Sequence, residues 1–271
     1  MELVDTHCHI QSAGTEGGER ITREKWGKVP GLTGDKMIAD AAKDGVTRLL
    51  CVGCDGEDSR LAIDFVKNRE KCWATVGIHP HEAQHYTGQE AKLAAFASLA
   101  SEPKVVAIGE CGLDYYYEHS PKEAQLELLR FQIELALKHD LPLIFHVREA
   151  FDDFWPIFDT YTGVRGVLHS FTDTAENLER AMERNLYVGV NGIATFAKNP
   201  KQLDVYRSIP LQKLLLETDA PFLTPTPYRG SINEPRRVRR IAEFVSEIRG
   251  ESLEQIAQAT TVNAQKLFAI T

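Results

Sequence analysis

A chain of 271 residues with 43% hydrophobic and 26% charged side chains can bury a sizeable core, which excludes a disordered polymer and permits one large α/β domain. Its 39 acidic against 31 basic residues, a net charge of −8, exclude a non-specific grip on duplex DNA, which needs many cationic phosphate contacts. Five cysteines scattered through apolar segments, no basic-then-apolar leader and no apolar run of about 18 residues set the expectation of a cytoplasmic protein without a membrane span.

In chain order, apolar β-branched runs alternate with helical patterns. The first run, 3–9 (LVDTHCH), carries His7 and His9 on either side of Cys8. Side chains alternate along a strand, so both imidazoles face one side while the thiol faces the other. That is chelating geometry if distant segments bring more ligands to the same place. The stretch 11–34 is long, Gly-rich and charged, and reads as an extended loop lying over the mouth of the fold. Further strands are predicted at 47–54, 72–79, 104–112, 141–147, 164–171, 186–192 and 213–220, which makes eight. The C-x-x-C of Cys51 and Cys54 has no second pair and reads as the end of a buried strand. Helices are predicted at 122–140 and 175–185, where apolar positions fall three and four apart, and two more close the chain in EPRRVRRIAEFVSEIRG and SLEQIAQATTVNAQKLFAI. The alternating charges of the first of these, Arg236 to Arg240 included, read as a solvated helix face. Eight strands alternating with helices predict a (β/α)₈ TIM barrel, one hydrolase-type domain over residues 1–271.

Barrel enzymes place their chemistry at the C-terminal ends of the strands. The reactive residues here cluster at those ends: His7 and His9 close the first strand, Glu110 the fourth, His146 the fifth, His169 the sixth and Asp219 the eighth, with His79 and His81 after the third. A lone strand histidine is usually a satisfied core residue, but six such placements by chance are improbable. Four imidazoles and two carboxylates suit Zn²⁺ or Mn²⁺, with Mg²⁺ where carboxylate and water dominate. Six ligands on one ion leave no open position, whereas two ions about 3.5–4 Å apart sharing Glu110 each keep one. Asp5, one strand repeat below His7, reads as a buried structural partner.

The motifs VDTHCH, VGIHPH, AIGECGLDYY, LPLIFHVREA, VLHSFTD, LLLETDAPFLTP, RGSINEP and TTVNAQKLF occur in an order and spacing that resembles the TatD family of metal-dependent deoxyribonucleases, within the amidohydrolase superfamily. The resemblance covers nearly the whole chain. It implies that His7, His9, Glu110 and Asp219 hold one metal and that Glu110, His146 and His169 hold the other. Glu110 takes the bridging role that a carboxylated lysine fills elsewhere in the superfamily. Two departures stand out: Asp173 in HSFTD, where relatives more often have glycine, and the 11–34 insertion, longer than the family's usual first loop.

The chemistry this predicts is hydrolysis of a phosphodiester by a metal-activated water, with Asp219 accepting its proton and Glu110 bridging the ions. Candidate substrate contacts are Arg148 and Arg229 for phosphate, His79 and His81 to orient a phosphate or protonate the leaving oxygen, and Tyr115 to stack on an unpaired base. Of Tyr115, Tyr116 and Tyr117, at least two are expected to pack under a loop. Asn233 and Glu234 are expected to lock the loop that carries Arg229. The acidic surface suits a single strand or strand end better than a duplex groove, and the family implies exonuclease-like trimming of DNA, with RNA a second candidate. No membrane and no obligate protein partner is expected. Two rivals stand beside this: the same metals hydrolysing an amide, ester or lactone, and an idle scaffold, which predicts a missing ligand where none is missing.

Overall fold

The computed structural model describes residues 1–271. The chain runs β1 (Leu3–Cys8), α1 (Arg20–Trp26), α2 (Gly34–Lys43), β2 (Val46–Val52), α3 (Gly56–Val66), β3 (Cys72–Val76), α4 (Glu90–Ala97), β4 (Val105–Asp114), α5 (Lys122–His139), β5 (Leu143–Arg148), α6 (Phe151–Phe158), β6 (Gly166–Leu168), α7 (Ala175–Glu183), β7 (Tyr187–Val190), α8 (Pro200–Ser208), β8 (Leu214–Leu216), α9 (Val238–Arg249) and α10 (Leu253–Phe268). All seven neighbouring strand pairs are parallel, in the order β1 to β8. The last strand meets the first through a single bridge at Cys8 and Ala220, backed by Asp219 N–H to His7 O at 2.8 Å and His9 N–H to Ala220 O at 2.8 Å. The result is the predicted (β/α)₈ barrel, nearly closed.

Two apolar layers hold it. Val4, Leu50, Val52, Ala107, Ile144, Val167 and Leu215 fill the barrel together with Leu267 and Phe268 of α10. The larger layer lies between strands and helices, where α5 presents Leu128, Leu129, Ile133 and Ala136 at helical spacing. Side chains on the helices' outer faces stay exposed, and capping residues set the helix starts: Thr33, Asp55, Thr174, Asn199 and Ser252 each accept a backbone N–H, Ser252 within a capping box with Gln255. No helix is long and apolar enough to cross a membrane.

The 11–34 segment corrects the expectation of an extended loop. It holds α1, and Trp26 on that helix is buried, with its indole Nε1 donating to His9 O at 3.0 Å. A large aromatic with a buried partner stabilises a short helix that periodicity over seven residues does not reveal. The segment is pinned beside β1 at the mouth, where Lys25 reaches the Phe222 ring at 5.9 Å.

Register explains how the barrel turns particular side chains inward. Ile144 and His146 share parity on β5, and so do Val167 with His169 and Leu215 with Glu217 and Asp219, so interior residues lead directly to site residues. On β1 and β4 the parity from Val4 to His7 and from Ala107 to Glu110 is wrong. Both strands carry a register shift in between, at Asp5/Cys8 and Ile108/Cys111, and one slipped residue swaps the faces.

Candidate metal centre at the barrel mouth

Glu110 lies within β4 and not at its end, and it is the hub. Its Oε2 is 3.2 Å from His7 Nε2, while its Oε1 is 2.7 Å from His146 Nδ1, 3.5 Å from His79 Nε2 and 3.7 Å from His169 Nε2. Asp219 adds a second carboxylate, with Oδ1 at 3.2 Å from His9 Nε2 and 3.6 Å from His7 Nε2. Close strand approach is needed here: Gly112 sits at φ +146°, where a Cβ would lie 1.9 Å from the His146 carbonyl.

The six ligands expected from the sequence therefore converge. Ligand atoms fall within 4.8 Å of one another in four overlapping sets: His7 with His9 and Glu110, His7 with His169 and Asp219, His79 with Glu110 and His146, and His9 with Cys54 and Asp58. These sets share members and do not divide the ligands between two ions, and none of them joins His169 to His146. His169 falls with His7, on which its ring stacks at 3.7 Å, and its centroid is 6.4 Å from that of His146. His79, expected only as a substrate contact, stands at ligand distance from Glu110.

The charge balance follows from burial and partners. Burial alone would raise the Glu110 carboxyl, but the imidazoles of His169 and His79 beside it, the hydrogen bond from His146 and the close approach of His7 hold it well below the usual range. Burial opposes protonation of His9, yet Asp219 raises it to about 10. His146 and His169 are likewise lifted against burial to about 9, the first by Asp114 and Glu110, the second by Glu217 and Glu110. Burial dominates at His79 and pushes it down to about 4. Such imidazole–carboxylate contacts are ones that a proton or a cation can mediate, which is the behaviour of a metal-binding cluster.

Three supporting carboxylates were not singled out from the sequence. Asp114 is fully buried, and its Oδ2 lies 3.0 Å from both His81 Nε2 and His146 Nε2. Glu217 Oε1 faces His169 Nδ1 at 3.0 Å and accepts Ser170 N–H at 2.6 Å. Asp58 is buried, pushed up to about 6 by that burial, and accepts from Cys54 N–H and Gln11 Nε2 next to His9. The signal for two of them was present: Glu217 is two residues before Asp219 and Asp114 four after Glu110, on the same strand faces. Asp5 behaves as expected, buried and accepting from Thr218 N–H, Thr218 Oγ1 and His7 N–H.

Outside the hub, the expectations divide. Tyr115 is partly buried: its ring packs against the core with Lys122 over one face, and its hydroxyl donates to Asp153 at 2.8 Å. Tyr116 and Tyr117, two rings of a trio expected to be mostly packed, are exposed by 53% and 50%. Arg148 does not join the imidazoles and forms no rim salt bridge; its guanidinium lies over the Tyr116 ring at 4.0 Å and the Tyr117 ring at 4.7 Å. Strand end and ring faces simply lie closer than the hub. Arg229 is exposed, 5.2 Å from the Phe196 ring, on a loop that Asn233 Nδ2 locks to Thr218 O and Phe222 O. Asp173 caps its own loop, accepting from Thr174 N–H and Asn177 Nδ2. Cys51 lies in β2 as expected, while Cys54 lies just past it, its Sγ 3.8 Å from His9 Nδ1.

Residues 4–269 match the family model for TatD related DNase. The chain is 40% identical over 270 residues to an uncharacterized metal-dependent hydrolase, YabD, of Bacillus subtilis, with 99% of each chain covered. It is 36% identical over 244 residues to the 3'-5' ssDNA/RNA exonuclease TatD of Citrobacter rodentium, covering 88% of this chain and 92% of that one. Among solved structures, the TatD homolog YjjV of Escherichia coli superposes with a TM-score of 0.86 at 28% identity, covering 99% and 98% of the two chains.

Proposed function

This chain belongs to the TatD related DNase family, and from that premise we propose that it hydrolyses phosphodiester bonds at the ends of single-stranded DNA, with RNA a second substrate. Residues 1–271 are read as one catalytic domain, a reading supported by α10 near the C-terminus, whose Leu267 and Phe268 share a core with Val4 of β1 and Leu215 of β8. Five free, buried thiols support a reducing compartment, the cytoplasm.

The observation that carries the reading is the Glu110 hub, with four imidazoles and Asp219 gathered at the mouth of the barrel. The residues fit divalent cations: His7 is fully buried and neither ring nitrogen has a hydrogen-bond partner, a costly state that ligation relieves. In this reading His7, His9, Glu110 and Asp219 would hold one ion and Glu110, His146 and His169 a second, of Mg²⁺, Mn²⁺ or Zn²⁺. Bound there, such ions supply positive charge to the phosphate oxygens and acidify a water. Val52 O fixes His9 Nδ1 as the donor at 2.8 Å, so its Nε2 presents a lone pair inward. Glu217 Oε1 lies 3.0 Å from His169 Nδ1, where its charge favours a cation on that ring. Asp219 takes the proton of the attacking water, and His81, held by Asp114 and still reachable from solvent, orients the phosphate or protonates the leaving oxygen. Arg148 and Arg229 stand at the rim, where their charge offsets some of the acidic surface that would repel a strand.

The test follows nucleotide release from 5′-labelled and 3′-labelled single-stranded oligonucleotides after chelation and re-addition of Mg²⁺, Mn²⁺ or Zn²⁺. The reading expects metal-dependent release from one end, and a folded Asp219→Asn protein whose kcat falls by roughly 10²- to 10⁴-fold. Near-normal turnover by that variant removes Asp219 from the base role. Hydrolysis of N-acyl or lactone substrates, with none of any oligonucleotide, overturns the phosphodiester assignment.

A further inference from the structure

The turn after β4 builds an aromatic ledge that the chemistry of the metal centre leaves unused. Asp114 Oδ1 accepts the backbone N–H groups of Tyr116 and Tyr117, each at 3.0 Å, which fixes the start of the turn. The two rings then stand edge to face, with centroids 4.8 Å apart and an interplanar angle of 88°, and the Arg148 guanidinium fills the corner between them. Tyr117 also runs parallel to His119, 12° between planes at 5.7 Å, and meets His81 edge-on at 5.6 Å. Large aromatics normally bury their faces, and two neighbouring tyrosines left half exposed, with Arg148 over a face of each and His119 beside Tyr117, leave ring surface open to solvent.

The placement matters as much as the composition. The other oxygen of the same carboxylate, Asp114 Oδ2, holds His81 and His146 at 3.0 Å each. One buried side chain thus sets the distance from ledge to hub. A planar group resting on the ledge has its attached backbone placed beside His81. Beside the ledge a cavity of about 430 Å³, lined in part by Gln84, Tyr115, His119 and Lys122, gives room for a nucleotide and one further cation.

We propose that Tyr116 and Tyr117, with Arg148 and His119, form a stacking subsite for the nucleobase adjoining the scissile phosphate, so that single-stranded substrates are selected because their bases are free to leave the stack. This rests on the phosphodiester reading above and assigns the base contact to Tyr116 and Tyr117. Every base has a π face, so the subsite tolerates sequence and rejects paired ends. Arg148 stacks on the base as well as on the tyrosines, which accounts for its absence from the imidazole cluster.

The experiment measures KM and kcat of the metal-loaded enzyme on a single-stranded oligonucleotide, and on three versions in which one of the nucleotides nearest the cleaved end is abasic. Tyr116→Ala and Tyr117→Ala are expected to raise KM on the intact strand by roughly 5- to 150-fold each, the size of one base stack, with kcat within about twofold. Tyr117→Phe restores the parent value. On the strand whose abasic position is the stacked one, parent and alanine variants converge. A merely structural role gives the alanine variants the same loss on every abasic strand, and that result overturns the subsite, as does an unchanged KM on the intact strand. A parent enzyme inert on all strands sinks the nuclease reading and the subsite with it, whereas an active parent with indifferent variants sinks the subsite alone.

Discussion

Gly189→Ala tests whether Glu217 orients a metal-binding histidine. Gly189 lies in β7 opposite Leu215, and a Cβ built there falls 2.4 Å from Glu217 Oε2, 2.7 Å from its carboxyl carbon and 2.9 Å from Oε1. Ordinary contact begins at 3.4 Å, so the carboxylate must retreat by about 1 Å. Glu217 is only 1% exposed and is tied to Ser170 N–H at 2.6 Å, so it has little freedom to give way. A retreat of that size takes its oxygen from 3.0 Å to about 4 Å from His169 Nδ1, which weakens the charge contact between them. Overpacking of this kind costs about 1–3 kcal/mol, which for a domain of this size lowers Tm by roughly 2–4 °C per kcal/mol. Loss of the partner of a ligating imidazole weakens metal binding by roughly 10- to 100-fold, or about 1.4–2.7 kcal/mol. Zinc affinity by competition with a chromophoric chelator, beside circular dichroism of the metal-free protein, separates the two effects. A folded Gly189→Ala protein with parental zinc affinity would show that Glu217 does not prepare His169 for a cation.

The other expectations concern acid stability and the core. Burial would raise the Asp114 carboxyl, but His146 and His81 hold it far below its ordinary 3.8. A carboxylate depressed in the folded state contributes stability that is present above the unfolded value and lost as pH falls below it, by at most about 1.4 kcal/mol per pH unit. Urea unfolding of the metal-free protein should therefore show Asp114→Asn costing more near pH 7 than near pH 3; an equal cost at both would refute the pairing. Phe145→Ala empties a fully buried site that meets Phe154 at 5.1 Å and Phe158 at 5.9 Å, and should cost about 3–5 kcal/mol in denaturant unfolding. A cost under about 1 kcal/mol would mean that α6 does not depend on that aromatic contact.

Most of the barrel was legible because its strands are apolar runs bounded by polar turns, and periodicity reports burial directly. What periodicity missed was where strands stop. The expected 164–171 and 213–220 shrink to Gly166–Leu168 and Leu214–Leu216, because Ser170 at φ +50° and Asp219 at φ +58° leave extended backbone just where ligands are displayed. That these imidazoles and carboxylates gather at one end of the barrel was readable from their places at strand ends. Their sharing was not: Glu110 meets His7, His79, His146 and His169 at once because β1 and β4 each carry a register shift, which leaves no compositional mark. The surroundings of the three tyrosines were hidden for a related reason. Three consecutive tyrosines are indistinguishable until the turn decides which one faces Lys122 and Asp153 and which two face solvent.

The joint between β8 and β1 is the sheet's thinnest, one bridge at Cys8 and Ala220 and a few backbone bonds. It is also where His7 and His9 meet Asp219, residues from opposite ends of the chain. A cation held by all three is a clasp across that joint, and clips that close long loops have, in principle, the most stabilisation to give. Only a chain synthesised past Asp219 can fasten it. A product that stops before the eighth strand lacks both that strand and the carboxylate that follows it, and so cannot fasten the clasp.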